Sequence, residues 1–421
     1  MYKLLISGGK PLSGNVNISG AKNAAVALLP GALLAGAPCV IENVPVISDV
    51  ACITEIYNGL GATVEQITQN TLKIDPTGIN NTSVPYKIAR SYRASYYFLG
   101  ALLGRFGEAS AAIPGGCDFG QRPIDQHLKG FEALGATVHL DGDTVHLKAD
   151  NLIGSHISFD VVSVGATINV MLAAVMAKGI TVLENVAKEP HIVDMANFLN
   201  SMGADVRGAG TDIIKIYGVS SMRGCEYTTV PDMIEAGTYM VAAAATGGDV
   251  LISNVIPKHL ETITAVLQKM GVDVTEYDDS IRVCRSGALK KCVVKTRPYP
   301  GFPTDMQPQI TALLSMAEGT SSVTENVWEN RFQYVPQLQK MGADIRVLGR
   351  TALIDGVPNL CGATVKSTDL RAGAAMVIAG LAAKGVTEVL DIEHIERGYE
   401  DIVQKLQYLG ADIAKVEYSA E

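Results

Sequence analysis

A chain of 421 residues, 48% hydrophobic and 18% charged, is long enough for two or more domains with sizeable cores and too apolar to be a disordered tail. Its 43 acidic and 34 basic residues leave a formal charge of −9, which disfavours broad attraction to nucleic acid or an anionic membrane but permits a local basic pocket. Seven cysteines without a Cys-x-x-Cys pair signal neither a disulfide framework nor a zinc ribbon, and they fit a reducing cytoplasm.

The opening MYKLLISGGKPLSG lacks the long apolar stretch of a secretion signal. Ala24 to Ile41 then runs eighteen residues without a charge, but Pro30, Gly31, Gly36 and Pro38 interrupt it. This stretch is predicted to be a buried helix followed by a buried strand, without membrane insertion. The same design recurs down the chain. A short phrase returns as GATV from Gly61, GATV from Gly135, GADV from Gly203, GVDV from Gly271, GADI from Gly342 and GADI from Gly410, at intervals of 74, 68, 68, 71 and 68 residues.

A second phrase keeps the same beat, a glycine leading into a β-branched run: Gly36 before CVIENV, Gly179 before ITVLENV, Gly248 before DVLISNV, Gly319 before SSVTENV and Gly385 before VTEVLDI. After Gly107 the copy reads EASAAIPGGC and abandons the Asn-Val ending. Before each of these glycines lies a small-residue segment, apolar nearly all round, as a buried helix is. Between the two phrases sits an amphipathic helix, exemplified by Ile263, Val266, Leu267 and Met270, which Gly271 stops. Each repeat of about 70 residues therefore reads as an α/β module, and six of them divide into two similar lobes with a cleft between.

Departures from the repeat mark candidate chemistry, because shared positions are explained by the fold. Fourteen residues before the strand-leading glycines stand Lys22, Arg93, Gly165, Ile234, Asp305 and Arg371, each at the predicted start of a buried helix. Unpaired N–H groups and the helix dipole favour anions there. Any one of these side chains could serve as a cap or a solvated helix end, but three cations at equivalent positions point to an anionic ligand. Asp305 breaks the sign and suits accepting a proton or a hydroxyl hydrogen bond. The prolines of PYPGFPTDMQPQ fix the approach to it, although Thr304 or Asp305 could also cap the helix.

The longest interval contains IPGGCDFGQRPIDQHL, where glycines flank Cys117 and Arg122 lies near enough to favour its thiolate. The other six cysteines read as inert small apolar residues. Arg331 and Arg397 each lie twelve residues beyond Gly319 and Gly385, in equivalent loops, and add guanidinium forks suited to phosphate. His139 and His146 read as surface histidines on strands, and His127 as a lesser candidate for ligand contact. No G-x-x-x-x-G-K-[ST], G-x-G-x-x-G or H-E-x-x-H occurs, so nucleotide hydrolysis, dinucleotide binding and zincin chemistry lack their signatures.

Ser19-Gly20-Ala21-Lys22-Asn23-Ala24, Arg93-Ala94-Ser95, Pro114-Gly115-Gly116-Cys117 with Arg122-Pro123, Phe302-Pro303-Thr304-Asp305-Met306-Gln307, Glu329-Asn330-Arg331, Asp369-Leu370-Arg371 and Arg397-Gly398-Tyr399 stand in order along the whole chain. Together they resemble the UDP-N-acetylglucosamine enolpyruvyl transferases. One departure is Val161, where some members carry a lysine that contacts the nucleotide.

The resemblance implies a two-lobed inside-out α/β barrel. Residues 22–230 would form the first lobe with the Cys117 loop, and residues 1–21 with 231–421 the second, the active site lying in the interlobe cleft. It also implies transfer of the enolpyruvyl group of phosphoenolpyruvate to the 3′-hydroxyl of UDP-N-acetylglucosamine, the first committed step of peptidoglycan synthesis, in the cytoplasm and without metal or organic cofactor. By that resemblance Cys117 donates a proton to C3 and can form a covalent phosphoenolpyruvate adduct. Lys22, Arg122 and Arg397 hold phosphoenolpyruvate, with Arg371, Arg331 and Asp369 in support, and Arg93 reaches the cleft. Asn23 orients the intermediate, Asp305 faces the 3′-hydroxyl, and Arg122, Pro123, Ile124, Asp125, Gln126 and Val327 contact the UDP-sugar. Two alternatives stay open. One is a 3-phosphoshikimate 1-carboxyvinyltransferase of the same architecture, against which the Cys117 loop and the Phe-Pro-Thr-Asp segment argue. The other is a six-module ring encircling nucleic acid, which would want a cation in every module where Gly165, Ile234 and Asp305 stand.

Overall fold

A computed structural model of the chain describes residues 1–113 and 124–418. Contacts divide the chain into two units, Gly20–Val230 and Met1–Ser19 with Pro231–Glu421. Each described unit contains three sheets.

The small-residue segments are helices, as their composition predicts. In the Gly20–Val230 unit, Tyr97–Phe106 packs against both Lys22–Gly31 and Val164–Ala174. A Cβ at Gly100 would lie 2.2 Å from the Asn169 carbonyl oxygen, so only glycine allows this approach. In the other unit Met233–Thr246, Gln307–Leu314 and Leu370–Ala382 pack mutually. These helices bury nearly every residue, whereas the surrounding strands alternate buried and more exposed side chains. Within each unit the helices are inside and the sheets outside, the inversion implied by the family resemblance.

The repeated phrases have simple physical jobs. Gly61, Gly135, Gly203, Gly271, Gly342 and Gly410 all take φ between +85° and +103°, ending an amphipathic helix and starting a strand. The Asn of the Asn-Val endings is a clip. Asn43, Asn185, Asn254 and Asn326 donate their side-chain amides to the carbonyls of Thr229, Phe159, Ile18 and Thr296, at 2.8, 2.8, 2.7 and 3.1 Å. Each accepting carbonyl ends the segment whose short edge strand pairs in parallel with the strand just before the clip.

The first strand solves a problem in the last module. In four sheets, a hairpin supplies the two strands beyond the clipped one. In the sixth module, Val386–Leu390 and Asp412–Glu417 flank Tyr2–Ser7, which pairs antiparallel with both. The chain start thus fills the place of a missing return strand and belongs with the C-terminal segment. The uncharged stretch from Ala24 to Ile41 is divided between the helix Lys22–Gly31, the turn Ala32–Leu34 and the strand Cys39–Glu42. No helix among the described residues is long and apolar enough to cross a membrane.

Candidate active site

The fifth and sixth modules bring their helix starts together. Asp305 lies in the turn Thr304–Met306 that opens Gln307–Leu314, and Arg371 is the second residue of Leu370–Ala382. Arg371 Nε is 3.2 Å from Asp305 Oδ2, and Arg331 Nη2 is 3.4 Å from Oδ1. Both arginines are buried, while the Asp305 side chain keeps 30% exposure, so the carboxylate is oriented on its buried side and reachable on the other. Asp369 caps the Arg371 helix, accepting from the backbone N–H groups of Arg371 and Ala372 at 2.9 and 3.1 Å. The Arg371 guanidinium also lies over the Tyr399 ring, 5.4 Å from its centroid. Tyr399 Oη in turn shares hydrogen bonds with Thr238 and Gln309. Arg397 occupies the turn just after the short helix Glu393–Glu396.

Ser19, from the motif leading to Lys22, is held at the unit boundary. Its N–H donates to Glu235 Oε2 at 2.9 Å, and Lys405 Nζ lies 2.6 Å from both Ser19 Oγ and Glu235 Oε1. Burial raises the Glu235 carboxyl to about 7, against the opposing pull of Lys405.

In the Gly20–Val230 unit, Lys22 begins its buried helix and its ammonium lies 3.0 Å from the buried Asp49 carboxylate. Asn23 follows on the first turn. A Cβ on Gly20 would fall 1.6 Å from the Asn43 carbonyl oxygen, which accounts for the glycine before Lys22. Arg93 Nε donates to Tyr96 Oη at 2.9 Å. The Tyr96 ring meets the His127 ring edge-on, with centroids 5.1 Å apart. His127 is 5% exposed, and its Nε2 would lie 2.7 Å from a Cβ on Gly165, so the third helix-start position, which has no side chain, is filled by an imidazole. Burial, with Arg93 nearby, lowers the His127 imidazole to about 4.

Ile124 precedes the helix Asp125–Ala133. Gln126 is locked into the structure: its Nε2 donates to Asp160 at 3.0 Å and its Oε1 accepts from the Asp160 N–H at 2.9 Å. Val161 is 60% exposed. Cys117, Arg122 and Pro123 lie outside the described residues. Thus Asp305, Arg331, Asp369 and Arg371 converge, Lys22 and Arg93 each have a local partner, and Val327 lies in the turn after Thr320–Thr324.

Sequence reasoning missed the partners. Asp49, Tyr96 and Tyr399 hold Lys22, Arg93 and Arg371, yet none stands out by spacing. The anion-site reading of Lys22 and Arg371 also needs refinement, since each directs its cation at a carboxylate of the chain. Cys225, read from the sequence as an inert apolar residue, has a polar partner. Its Sγ accepts from Ser201 Oγ at 3.3 Å, and the neighbouring Cys39 and Ser201 lower its thiol to about 7 despite burial. Among the described residues no group of three or more His, Cys, Asp or Glu is placed to hold a metal ion.

The sequence model of EPSP synthase (3-phosphoshikimate 1-carboxyvinyltransferase) matches residues 6–406. The enolpyruvyl transferase NikO from Streptomyces tendae superposes with a TM-score of 0.89 at 29% identity, covering 98% of both chains. An EPSP synthase from Acinetobacter baumannii shares the fold at a TM-score of 0.76 and 18% identity, covering 99% of this chain and all of that one. The fold and the match define an enolpyruvyl transferase. The chain is also 61% identical to UDP-N-acetylglucosamine 1-carboxyvinyltransferase 3 of Caldanaerobacter subterraneus subsp. tengcongensis, over 99% of this chain and 100% of the relative. It is 60% identical to the UDP-N-acetylglucosamine 1-carboxyvinyltransferase of Clostridium botulinum, with the same coverage. The chain belongs to the UDP-N-acetylglucosamine 1-carboxyvinyltransferase family, a family of transferases, and the ring encircling nucleic acid is the disfavoured alternative.

Proposed function

We propose that this chain transfers the enolpyruvyl group of phosphoenolpyruvate to the 3′-hydroxyl of UDP-N-acetylglucosamine, releasing phosphate, as a cytoplasmic enzyme at the committed step of peptidoglycan synthesis. The observation carrying this reading is the Asp305 carboxylate, held by Arg331 and Arg371 yet partly exposed. Such a group can align a sugar hydroxyl and receive its proton as the oxygen bonds to C2. Cys117 delivers a proton to C3, making C2 electrophilic. Removal of a C3 proton then restores the double bond as the C2–phosphate bond breaks.

Lys22, Arg122 and Arg397 counter the phosphate and carboxylate charges of phosphoenolpyruvate, with Arg93, Arg331 and Arg371 adding to the field and Asp369 setting the Arg371 helix. Asn23 orients the tetrahedral intermediate. Pro123, Ile124, Asp125, Gln126 and Val327 contact the UDP-sugar. A loop around Cys117 that excludes water would protect the intermediate.

The nucleotide sugar is favoured over shikimate 3-phosphate because relatives with 60% and 61% identity carry the former activity in their names. The test follows phosphate release from phosphoenolpyruvate with each acceptor. Release with UDP-N-acetylglucosamine supports the reading; release with shikimate 3-phosphate alone, or none from folded protein, overturns it.

A further inference from the structure

The fifth module departs from the others at the end of its central strand. The residue before the clip is Glu42, Glu184, Ser253, Glu325 or Leu390 in the five modules that have this turn. Glu42 accepts the Thr228 hydroxyl in an exposed pair, and Glu184 faces His156 at 2.8 Å on an accessible sheet face. Glu325 alone of these acidic residues is turned inward, at 1% exposure. The backbone departs with it. Asn43, Asn185, Asn254 and Asp391 take φ of 53–58°, whereas Asn326 is not among the described residues with positive φ.

The inward carboxylate ties two turns together. Glu325 Oε1 accepts from the N–H groups of Val327 and Trp328, at 2.8 and 3.0 Å, and from Thr296 Oγ1 at 2.8 Å. Its Oε2 accepts from Thr304 Oγ1 at 3.0 Å. Thr296 Oγ1 also receives the Asn326 N–H at 2.9 Å. A buried carboxylate is costly unless its lone pairs are used, and here four donors use them. Strand termination does not demand this arrangement, since other modules end the same strand without a buried acid. Its distinctive result is to couple the turn carrying Val327 to the turn carrying Asp305.

We infer that Glu325 is a positioning residue for the acceptor sugar, fixing the Val327 backbone relative to the Asp305 carboxylate. The inference rests on the proposed function and assigns Glu325 no contact with substrate. Glu325→Ala removes all four acceptor interactions, and Thr304→Val cuts only the link to the Asp305 turn. Glu325→Gln retains an oxygen for the two amides and can donate its NH2 to the Thr304 hydroxyl.

The experiment measures KM for each substrate, kcat and thermal unfolding on the full chain. Glu325→Ala and Thr304→Val are expected to raise KM for UDP-N-acetylglucosamine by about tenfold or more, the scale of a lost hydrogen bond to a charged group, with KM for phosphoenolpyruvate nearly constant. Glu325→Gln should recover most of that loss. Parallel changes in both KM values, or a lower melting temperature with unchanged KM values, would overturn the assignment. Should Glu325→Ala fail to fold, Thr304→Val decides alone. An unmodified chain that ignores the nucleotide sugar would instead overturn the underlying function, and this role with it.

Discussion

Asp305 and Arg371 occupy the same position in successive modules, and their side chains meet at 3.2 Å. A repeat that would otherwise place similar charges at its helix starts has here placed opposite ones, so the two starts neutralise and orient each other. Asp305→Ala is expected to lower turnover about 10²–10⁴-fold, the usual range for a lost acid or base. It should also destabilise the fold by roughly 1–3 kcal/mol, since two buried guanidiniums lose their carboxylate while its partial exposure moderates the cost. Asp305→Asn should keep more stability while losing turnover. Phosphate release and urea unfolding on both variants check this; a fully active Asp305→Asn would remove proton acceptance from its role.

Asp49 gives Lys22 a fixed address. Asp49→Asn keeps the shape but removes the charge opposite the ammonium, and is expected to raise KM for phosphoenolpyruvate by about tenfold. Lys22→Ala should abolish phosphoenolpyruvate use and cost about 3 kcal/mol of stability, because the buried Asp49 loses its cation. Substrate titrations beside chemical unfolding separate the two effects. Unchanged phosphoenolpyruvate kinetics in Asp49→Asn would confine the pair to a structural role.

Stability should depend on pH through two buried groups of opposite sign. His127 falls from an ordinary 6.5 to about 4 on folding, so between those values the unfolded chain binds a proton that the folded chain refuses. Its contribution is complete above pH 6.5 and is lost as pH falls to 4, by about 3 kcal/mol. Glu235 rises from 4.5 to about 7, so the folded chain holds the extra proton and its contribution, present below 4.5, is lost as pH rises through 7. Unfolding free energies at pH 4 to 8 should therefore show wild type losing ground to His127→Phe as pH falls, and to Glu235→Gln as pH rises. Parallel profiles for wild type and a variant would contradict the assigned shift.

Cys225 should be more reactive than its surroundings suggest. The neighbouring Cys39 and the Ser201 hydroxyl favour its thiolate, and its alkylation rate is expected to rise with a midpoint near pH 7. Cys39→Ala removes that neighbour and should move the midpoint up toward 9, the ordinary value for the group. Mass spectrometry of briefly alkylated protein reads each cysteine separately. The same experiment tests Cys117, whose labelling should change when UDP-N-acetylglucosamine is added. Identical Cys225 profiles with and without Cys39 would dismiss the coupling.

Much of the architecture was legible because it follows from short-range rules. The glycines of the GATV-like phrases end helices wherever they occur, since each needs a left-handed φ that most residues avoid. The helix starts at Lys22, Asp305 and Arg371 were equally legible, because an apolar segment between turn residues has few alternatives. The Asn-Val ending was visible as a pattern but not as a clip, because its acceptors lie as far away as Thr229 lies from Asn43 and Ile18 from Asn254. Glu325 looked like Glu42 and Glu184, and only its burial and the backbone of its turn distinguish it.

The amino-acid sequence by itself determined the α/β class, the glycine punctuation and the family, each encoded in local composition or in order along the chain. Tertiary structure decided which charge answers which: Lys22 to Asp49, Arg331 and Arg371 to Asp305, Lys405 to Glu235. It also decided that Tyr2–Ser7 completes the last module. The reason is physical. Turns and helix ends are set by the φ/ψ preferences of a few neighbouring residues, whereas an ion pair or a sheet neighbour depends on packing that brings distant segments together.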